Sequence, residues 1–234
     1  MTINLLEICS RVANDTKLEA PTSIIDNTDL LAKQLLQCIK SSMSDLLIEV
    51  DWEVLEGEAT INTANGTSSY ALPSDFDRID SDTAWNATRK QPMIGVVSKI
   101  EWQSLLYNSA TVGAVNDYYR IKGGRFHIYP TPTGVEVLKY TYIQNTPIAS
   151  SSGTAQEDWL ADTDIPRLNP YIVELATRWR FRKMNGKPYA EDLQEYNKKL
   201  LQRTMVNGGR KKVFSGTGFL RGIKVGYPET IVAP

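Results

Sequence analysis

The stretch Tyr70-Ala71-Leu72-Pro73-Ser74-Asp75-Phe76 decides how the middle of this chain is read. Alternating residues lead into it and end at Leu72. Pro73 cannot donate to a β-ladder, Ser74 and Asp75 can turn the backbone, and Phe76 supplies a ring to bury. The stretch is a strand that stops at a corner, and its residues serve shape rather than chemistry.

Working outward, the alternation begins near Glu53, with Asn65-Gly66 predicting a hairpin turn on the way to Leu72. Beyond the corner, strands are predicted over Arg78–Asn86 and Met93–Val97, separated by Lys90-Gln91-Pro92. A helical excursion covers Lys99–Tyr107, carrying Trp102, Leu105 and Leu106. The clearest hairpin is Tyr118–Pro130, where Gly123-Gly124 can take positive φ and Tyr119/Ile121 and Phe126/Ile128 alternate on the flanks. A strand over Val135–Ile143 completes a β-rich stretch of residues 51–148.

Helical patterns flank this stretch. Residues 3–14 place Leu5, Ile8, Cys9 and Val12 on one side. After Pro21, and after the capping side chains of Asp26, Asn27 and Thr28, a second helix is predicted over about 28–48. Its stripe is Leu31, Leu35, Ile39, Met43 and Leu46, with Lys33, Gln37 and Lys40 lying away from it. Residues 149–206 read as a small-residue linker, Ala149–Ala155, followed by an αα-hairpin. Pro170 suits the first turn of a helix bearing Ile172, Leu175, Ala176 and Trp179; Asn185-Gly186 ends it. The next helix carries Tyr189, Leu193, Tyr196 and Leu200. Its acidic residues come first and its basic residues last, in line with the helix dipole, and Glu195 and Lys199 form an i,i+4 pair.

The 207–234 segment loses this periodicity. It opens with Asn207-Gly208-Gly209-Arg210-Lys211-Lys212 and then scatters Phe214, Phe219, Leu220, Ile223, Val225 and Tyr227. That composition fits an extended C-terminal arm that orders on a partner, with a frayed terminus as the plainer reading.

Composition narrows the function classes. The chain has 234 residues, 41% hydrophobic and 23% charged, which is enough for a real core. No apolar run reaches the ~20 residues of a membrane span, and Met1–Leu6 lacks the basic start of a secretory signal. Cys9 and Cys38, both in helical patterns, are expected to be small core residues of a protein made in a reducing cytoplasm.

The chemistry-bearing constellations are weak. A single histidine, His127, has no cysteine cluster or second histidine to complete a metal site. Asp75, Asp77, Asp80 and Asp82 cluster, yet counting from Asp75 puts Asp80 and Asn86 where a calcium loop needs glycine and glutamate. Asp158, Asp162 and Asp164 are no more specific. Gly216-Thr217-Gly218 lacks the spacing of a phosphate loop. No catalytic group, metal or cofactor is expected.

Net charge of −1 conceals a division: fourteen Lys/Arg against five Asp/Glu from Arg167 onward, and twelve against twenty-two before it. The basic third could face phosphate, or the acidic part of a neighbouring copy. Arg178 and Arg182 share a helix face while Arg180 points away, so a base-reading DNA helix is not expected. Arg178, Arg180, Arg182 and Lys183 stand as candidates for subunit contact or for nonspecific DNA-phosphate contact. A nucleic-acid-binding module is the alternative function.

The serial order of short motifs resembles a known family. Trp52-Glu53-Val54-Leu55 is followed by the 70–76 corner, Trp85-Asn86-Ala87-Thr88 and Gln91-Pro92-Met93. Arg120-Ile121-Lys122-Gly123-Gly124-Arg125-Phe126-His127-Ile128-Tyr129-Pro130 and Val137-Leu138-Lys139-Tyr140 close the series. In residues 1–206 the chain is similar to the head-to-tail adaptor (connector, or tail-tubular-type) proteins of tailed bacteriophages. The resemblance implies an α+β fold: an α-helical bundle, from N-terminal helices in residues 1–50 plus the C-terminal αα-hairpin, with an inserted antiparallel β-rich domain and an extended C-terminal tail. It implies a structural virion protein, made in the host bacterial cytoplasm and placed at the head–tail junction. There it would form a ring, commonly a dodecamer, between the portal protein and a downstream tail or nozzle protein. Double-stranded DNA would pass through the lumen without sequence recognition. The arm, with Arg210, Lys211, Lys212, Phe214, Phe219, Leu220, Ile223 and Tyr227, is the candidate portal-docking element.

Overall fold

The apolar stripe predicted between residues 28 and 48 forms the helix around which the first core gathers. A computed structural model describes residues 3–80, 82–95, 98–107 and 116–206. Helix α1 spans Leu5–Asp15, with Asn4 Oδ1 accepting from the Glu7 N–H at 2.9 Å, and α2 spans Leu30–Glu49. Leu35, Ile39, Met43 and Leu46 are buried along α2, and Cys9 and Cys38 are buried with them. Burial pushes the Cys9 thiol up to about 12 and the Cys38 thiol to about 11, so both behave as small apolar groups. After the β-rich stretch the chain returns through α4 (Pro170–Met184) and α5 (Ala190–Val206); α3 is Lys99–Tyr107. Helix α4 packs against α1, α2 and α5. Its Ile172, Val173, Leu175, Ala176 and Phe181 join Tyr196 and Leu200 of α5 in one buried cluster.

The second cluster lies between antiparallel sheets. Strand β1 (Glu56–Asn62) pairs along its whole length with β8 (Val137–Gln144), which also pairs with β3 (Phe76–Ile79) and β4 (Trp85–Asn86); β5 (Gln91–Pro92) extends β4. A separate sheet orders β2 (Ser69–Ala71), β7 (Arg125–Tyr129) and β6 (Tyr118–Lys122). Gly123 and Gly124 take φ of +58° and +68° in the hairpin turn, as predicted. Phe126 of one sheet stacks on Tyr140 of the other, with ring centroids 5.0 Å apart.

Three local expectations are corrected. Asn65-Gly66 does turn, with Gly66 at φ +75°, but its flanking strands pair with β8 and β7 rather than with each other. The turn is held instead by the 132–136 loop, through Gly66 N–H to the Pro132 carbonyl at 2.9 Å and Thr63 Oγ1 to the Gly134 carbonyl at 2.9 Å. The reason is partner length. Eight-residue β8 offers Leu138, Tyr140 and Tyr142 as a buried face, which three-residue β2 cannot match. The predicted strand Arg78–Asn86 is broken into the end of β3 and β4, with Asp82 at φ +66° and a turn over 87–90, while β5 falls on the predicted spacer and Met93–Val97 contributes only an isolated bridge from Ile94 to Tyr118; residues 81, 96 and 97 lie outside the described residues.

The Ala149–Ala155 linker is likewise built into structure. It is the turn between β9 (Ile148–Ala149) and β10 (Ala155–Gln156), with β11 (Ile165–Pro166) on the other side of β9. Its serines serve the turn: Ser150 Oγ accepts the Thr154 N–H at 3.0 Å. Ile148, Trp159 and Leu168 enter the helical core, and the Leu5 N–H donates to the Asp164 carbonyl at 2.8 Å.

Burial of the aromatic cluster carries a pH consequence. Burial pushes the Tyr119 hydroxyl up to about 12, with the Asp82 and Asp80 charges adding to it, and burial pushes Tyr140 up to about 12 beside Tyr142. Both folded-state values exceed the ordinary tyrosine value of about 10. Their contribution is therefore complete below about pH 10 and is lost as pH rises toward 12. The melting midpoint is expected to fall across that window, and less steeply in a Tyr119→Phe/Tyr140→Phe variant. Equal slopes in the two proteins would refute this.

Candidate functional site

The basic residues singled out in α4 sit on an αα-hairpin whose ends are set locally. Asn169 Oδ1 accepts the Tyr171 N–H at 3.1 Å, with Pro170 in the first turn. At the other end Gly186 takes φ +64° and the Lys187 N–H closes on the Arg182 carbonyl at 2.9 Å.

Three of the four basic residues face carboxylates of their own chain. Arg178 reaches Asp15 of α1 at 3.0 Å, and Asp192 and Glu195 of α5 at 3.0 and 2.7 Å. Arg182 meets Asp192 at 2.6 Å. The contacts of Asp192 lie outside hydrogen-bond angles and act as charge contacts. Arg180 pairs with Asp45 of α2 and lies over the Trp179 ring at 4.4 Å. Burial works against the Arg178 charge, but the Asp15 hydrogen bond and the Asp192 and Glu195 charges outweigh it and raise its pKa. The Tyr171 hydroxyl, with Arg178, holds Glu195 below the usual carboxylate range. Glu195 thus bridges α4 and α5 rather than only facing Lys199. Burial lowers the pKa of Arg180. Lys183 is exposed, its Nζ 5.9 Å from the Trp179 and Tyr189 rings.

Arg180 and Lys183 rim a shallow groove of about 530 Å³ between α2 and α4, also lined by Asp45, Trp179 and Met184. The arm residues Arg210, Lys211, Lys212, Phe214, Phe219, Leu220, Ile223 and Tyr227 lie outside the described residues.

The carboxylates of the opening corner do structural work. Asp75 accepts from the Tyr142 hydroxyl at 2.9 Å and from Gln144 Nε2 at 2.7 Å, pinning the corner to β8; Phe76 stacks on Tyr142 at 5.7 Å. Asp75 is therefore a bonded corner residue rather than part of a solvated strand face. Asp162 accepts the Ile24 and Ile25 N–H groups at 3.0 and 2.8 Å, and Asp164 those of Leu160 and Ala161 at 2.7 and 2.8 Å. His127 Nε2 lies 3.3 Å from the Lys122 carbonyl. Among the described residues no group of three His, Cys, Asp or Glu side chains could hold a metal ion, and no helix is long and apolar enough to cross a membrane.

Two residues missed in the sequence join the helical and β-rich parts. Arg78 Nε donates to Asp51 at 2.7 Å, and its Nη2 donates to the Leu47 and Val50 carbonyls at 2.8 and 3.1 Å; its Nη1 meets Asp77. Arg167 Nη2 donates to the Val54 carbonyl at 2.9 Å and Nη1 to the Thr146 carbonyl at 2.8 Å. Both use guanidinium donors on backbone carbonyls, for which no residue pattern gives notice.

These features define an α+β protein whose charged side chains join its own elements. The sequence profile of the family described as SU10 adaptor protein matches residues 3–213, and the chain belongs to that family, placing it among the structural adaptors of bacteriophages. No curated protein matches the chain.

Proposed function

We propose that the chain is a head-to-tail adaptor that forms a ring below the portal, joins capsid to tail and surrounds the DNA channel. The family match over residues 3–213 carries this reading. In it the helices form a bundle interrupted by the β-rich domain, and the role is structural rather than catalytic. The partners are identical subunits, commonly twelve, the portal protein, a downstream tail or nozzle protein, and double-stranded DNA passing without sequence recognition. The protein resides at the head–tail junction of the virion after synthesis in the host cytoplasm.

The division of charge supports a head-to-tail ring, because a heterologous interface lets an acidic face meet a basic one. Of the four basic residues in α4, Arg180 and Lys183 on the groove rim are the proposed subunit contacts, while Arg178 and Arg182 hold the hairpin. The arm, through Arg210, Lys211, Lys212, Phe214, Phe219, Leu220, Ile223 and Tyr227, is proposed to dock on the portal.

Deleting residues 207–234 is expected to weaken portal association by at least about a hundredfold, the loss of about 3 kcal/mol of contact. The folded core should remain intact, because Tyr196 and Leu200 of α5 stay packed in the helical cluster. Normal attachment of the truncated protein would remove the arm from the docking role. Images of assembled particles lacking a closed ring at the capsid vertex would remove the adaptor reading itself.

A further inference from the structure

Strand β1 is an outer strand with an open side. It pairs with β8 in continuous register from Glu56↔Ile143 to Asn62↔Val137, and among the described residues no other helix or strand lies along it. Seven residues without a proline or a bulge leave every second N–H and C=O turned away from β8. One face of the strand presents Glu56, Glu58 and Thr60 to solvent, while Ala59 and Ile61 are buried beneath. Acidic side chains predominate here, with Lys139 of β8 opposite Thr60 at the far end of the face. Burial raises the pKa of Glu56, and the charges of Asp80, Glu53 and Asp51 raise it further. No basic side chain of the described residues bonds Glu53, Glu56 or Glu58. An edge with this charge repels a second β1 and favours a basic strand.

The chain carries such a strand next to the right corner. Helix α5 runs antiparallel to α4: Asp192 meets Arg182, and three residues on Glu195 meets Tyr171. The end of α5 at Val206 therefore comes level with the start of α4, where Arg167 holds the Val54 carbonyl two residues before β1. Only Asn207-Gly208-Gly209 separates Val206 from Arg210-Lys211-Lys212-Val213-Phe214. Extended, Arg210 and Lys212 would share a face two residues apart, the spacing of Glu56 and Glu58.

We propose that residues 210–214 add as a strand to the open edge of β1 in the same chain, with Arg210 and Lys212 opposite Glu56 and Glu58. The short tether makes the pairing intramolecular, at an effective concentration in about the millimolar range. Main-chain bonds hold the segment and the charge match sets its register. The edge is thereby covered, Arg210 and Lys212 are withdrawn from the portal-docking set, and the apolar remainder of the arm from Phe219 onward is presented from a fixed point. This inference does not depend on the adaptor reading.

Hydrogen exchange on the full chain tests it without any phage partner. The β1 amides that do not bond β8 are expected to exchange at least about tenfold more slowly in the full chain than in a chain ending at Val206. Glu56→Lys/Glu58→Lys, at exposed positions, should lose that protection, with a melting midpoint no lower than that of the chain ending at Val206. Adding Arg210→Glu/Lys212→Glu to that variant should restore it. Equal exchange in the full and shortened chains, or protection that survives the Glu56→Lys/Glu58→Lys change, would overturn the proposal. Protection that disappears on dilution would also overturn it, because the strand would then come from another copy.

Discussion

Replacing Phe126 with alanine is expected to cost about 3–5 kcal/mol, the largest loss from any single truncation in the β-rich part. The side chain, on β7, is fully buried and stacked between Tyr119 at 5.1 Å and Tyr140 at 5.0 Å. Its removal forfeits the burial of a whole ring and two aromatic contacts worth about 0.5–1.5 kcal/mol each. Because Phe126 sits in one sheet and Tyr140 in the other, the cavity would open between the sheets, where neither can close it alone. Chemical denaturation should show the loss directly, with a melting shift of about 10 °C for a chain of this size. Phe126→Leu, which keeps most of the volume, should cost less than half as much; equal costs would mean that the stacking geometry matters more than the cavity.

Replacing Asp192 with alanine is expected to destabilise the protein by about 3 kcal/mol. Its side chain is 8% exposed and holds both Arg178 and Arg182. Arg178 would keep Asp15 and Glu195, whereas Arg182 would keep only the Asp15 carbonyl at 3.4 Å. The cost comes from losing a buried carboxylate that two guanidiniums share, which leaves the like charges of Arg178 and Arg182 without the group between them. Asp45→Ala makes the contrast. That carboxylate pairs with Arg180 but is 57% exposed, so its loss should cost less than about 1 kcal/mol. Comparable losses from the two variants would show that burial is not what sets the strength of these pairs. Arg178→Ala adds a functional arm: it should lower stability while leaving the salt dependence of any DNA binding unchanged. A slope reduced by about one would assign Arg178 to phosphate instead.

Local patterns were legible where one stretch of chain holds its own answer. The stripe from Leu35 to Leu46 marked the buried face of α2, and Asn185-Gly186 marked the end of α4. Gly123-Gly124 marked the hairpin, and Pro73 ended a strand whose ladder stops at Ala71. The basic residues of α4 were visible as a group, and so was the separate direction of Arg180. Their partners were not, because Asp15 and Asp45 lie more than a hundred residues away and a charge carries no address.

The sequence by itself determined the helical faces, the turn positions and the corner at residues 70–76, because periodicity, proline and glycine act within a few residues. Its serial motifs also pointed to a bacteriophage adaptor, the broader class to which the profile match assigns the chain. Tertiary structure alone decided which strands pair. β8 took β1, β3 and β4 together, overriding the nearer partner that Asn65-Gly66 suggested, since long-range pairing is set by how much apolar surface each pair buries. It also turned Asp75 from one of four clustered carboxylates into the anchor that Tyr142 and Gln144 hold, and a serine-rich spacer into a three-stranded sheet on the helical core.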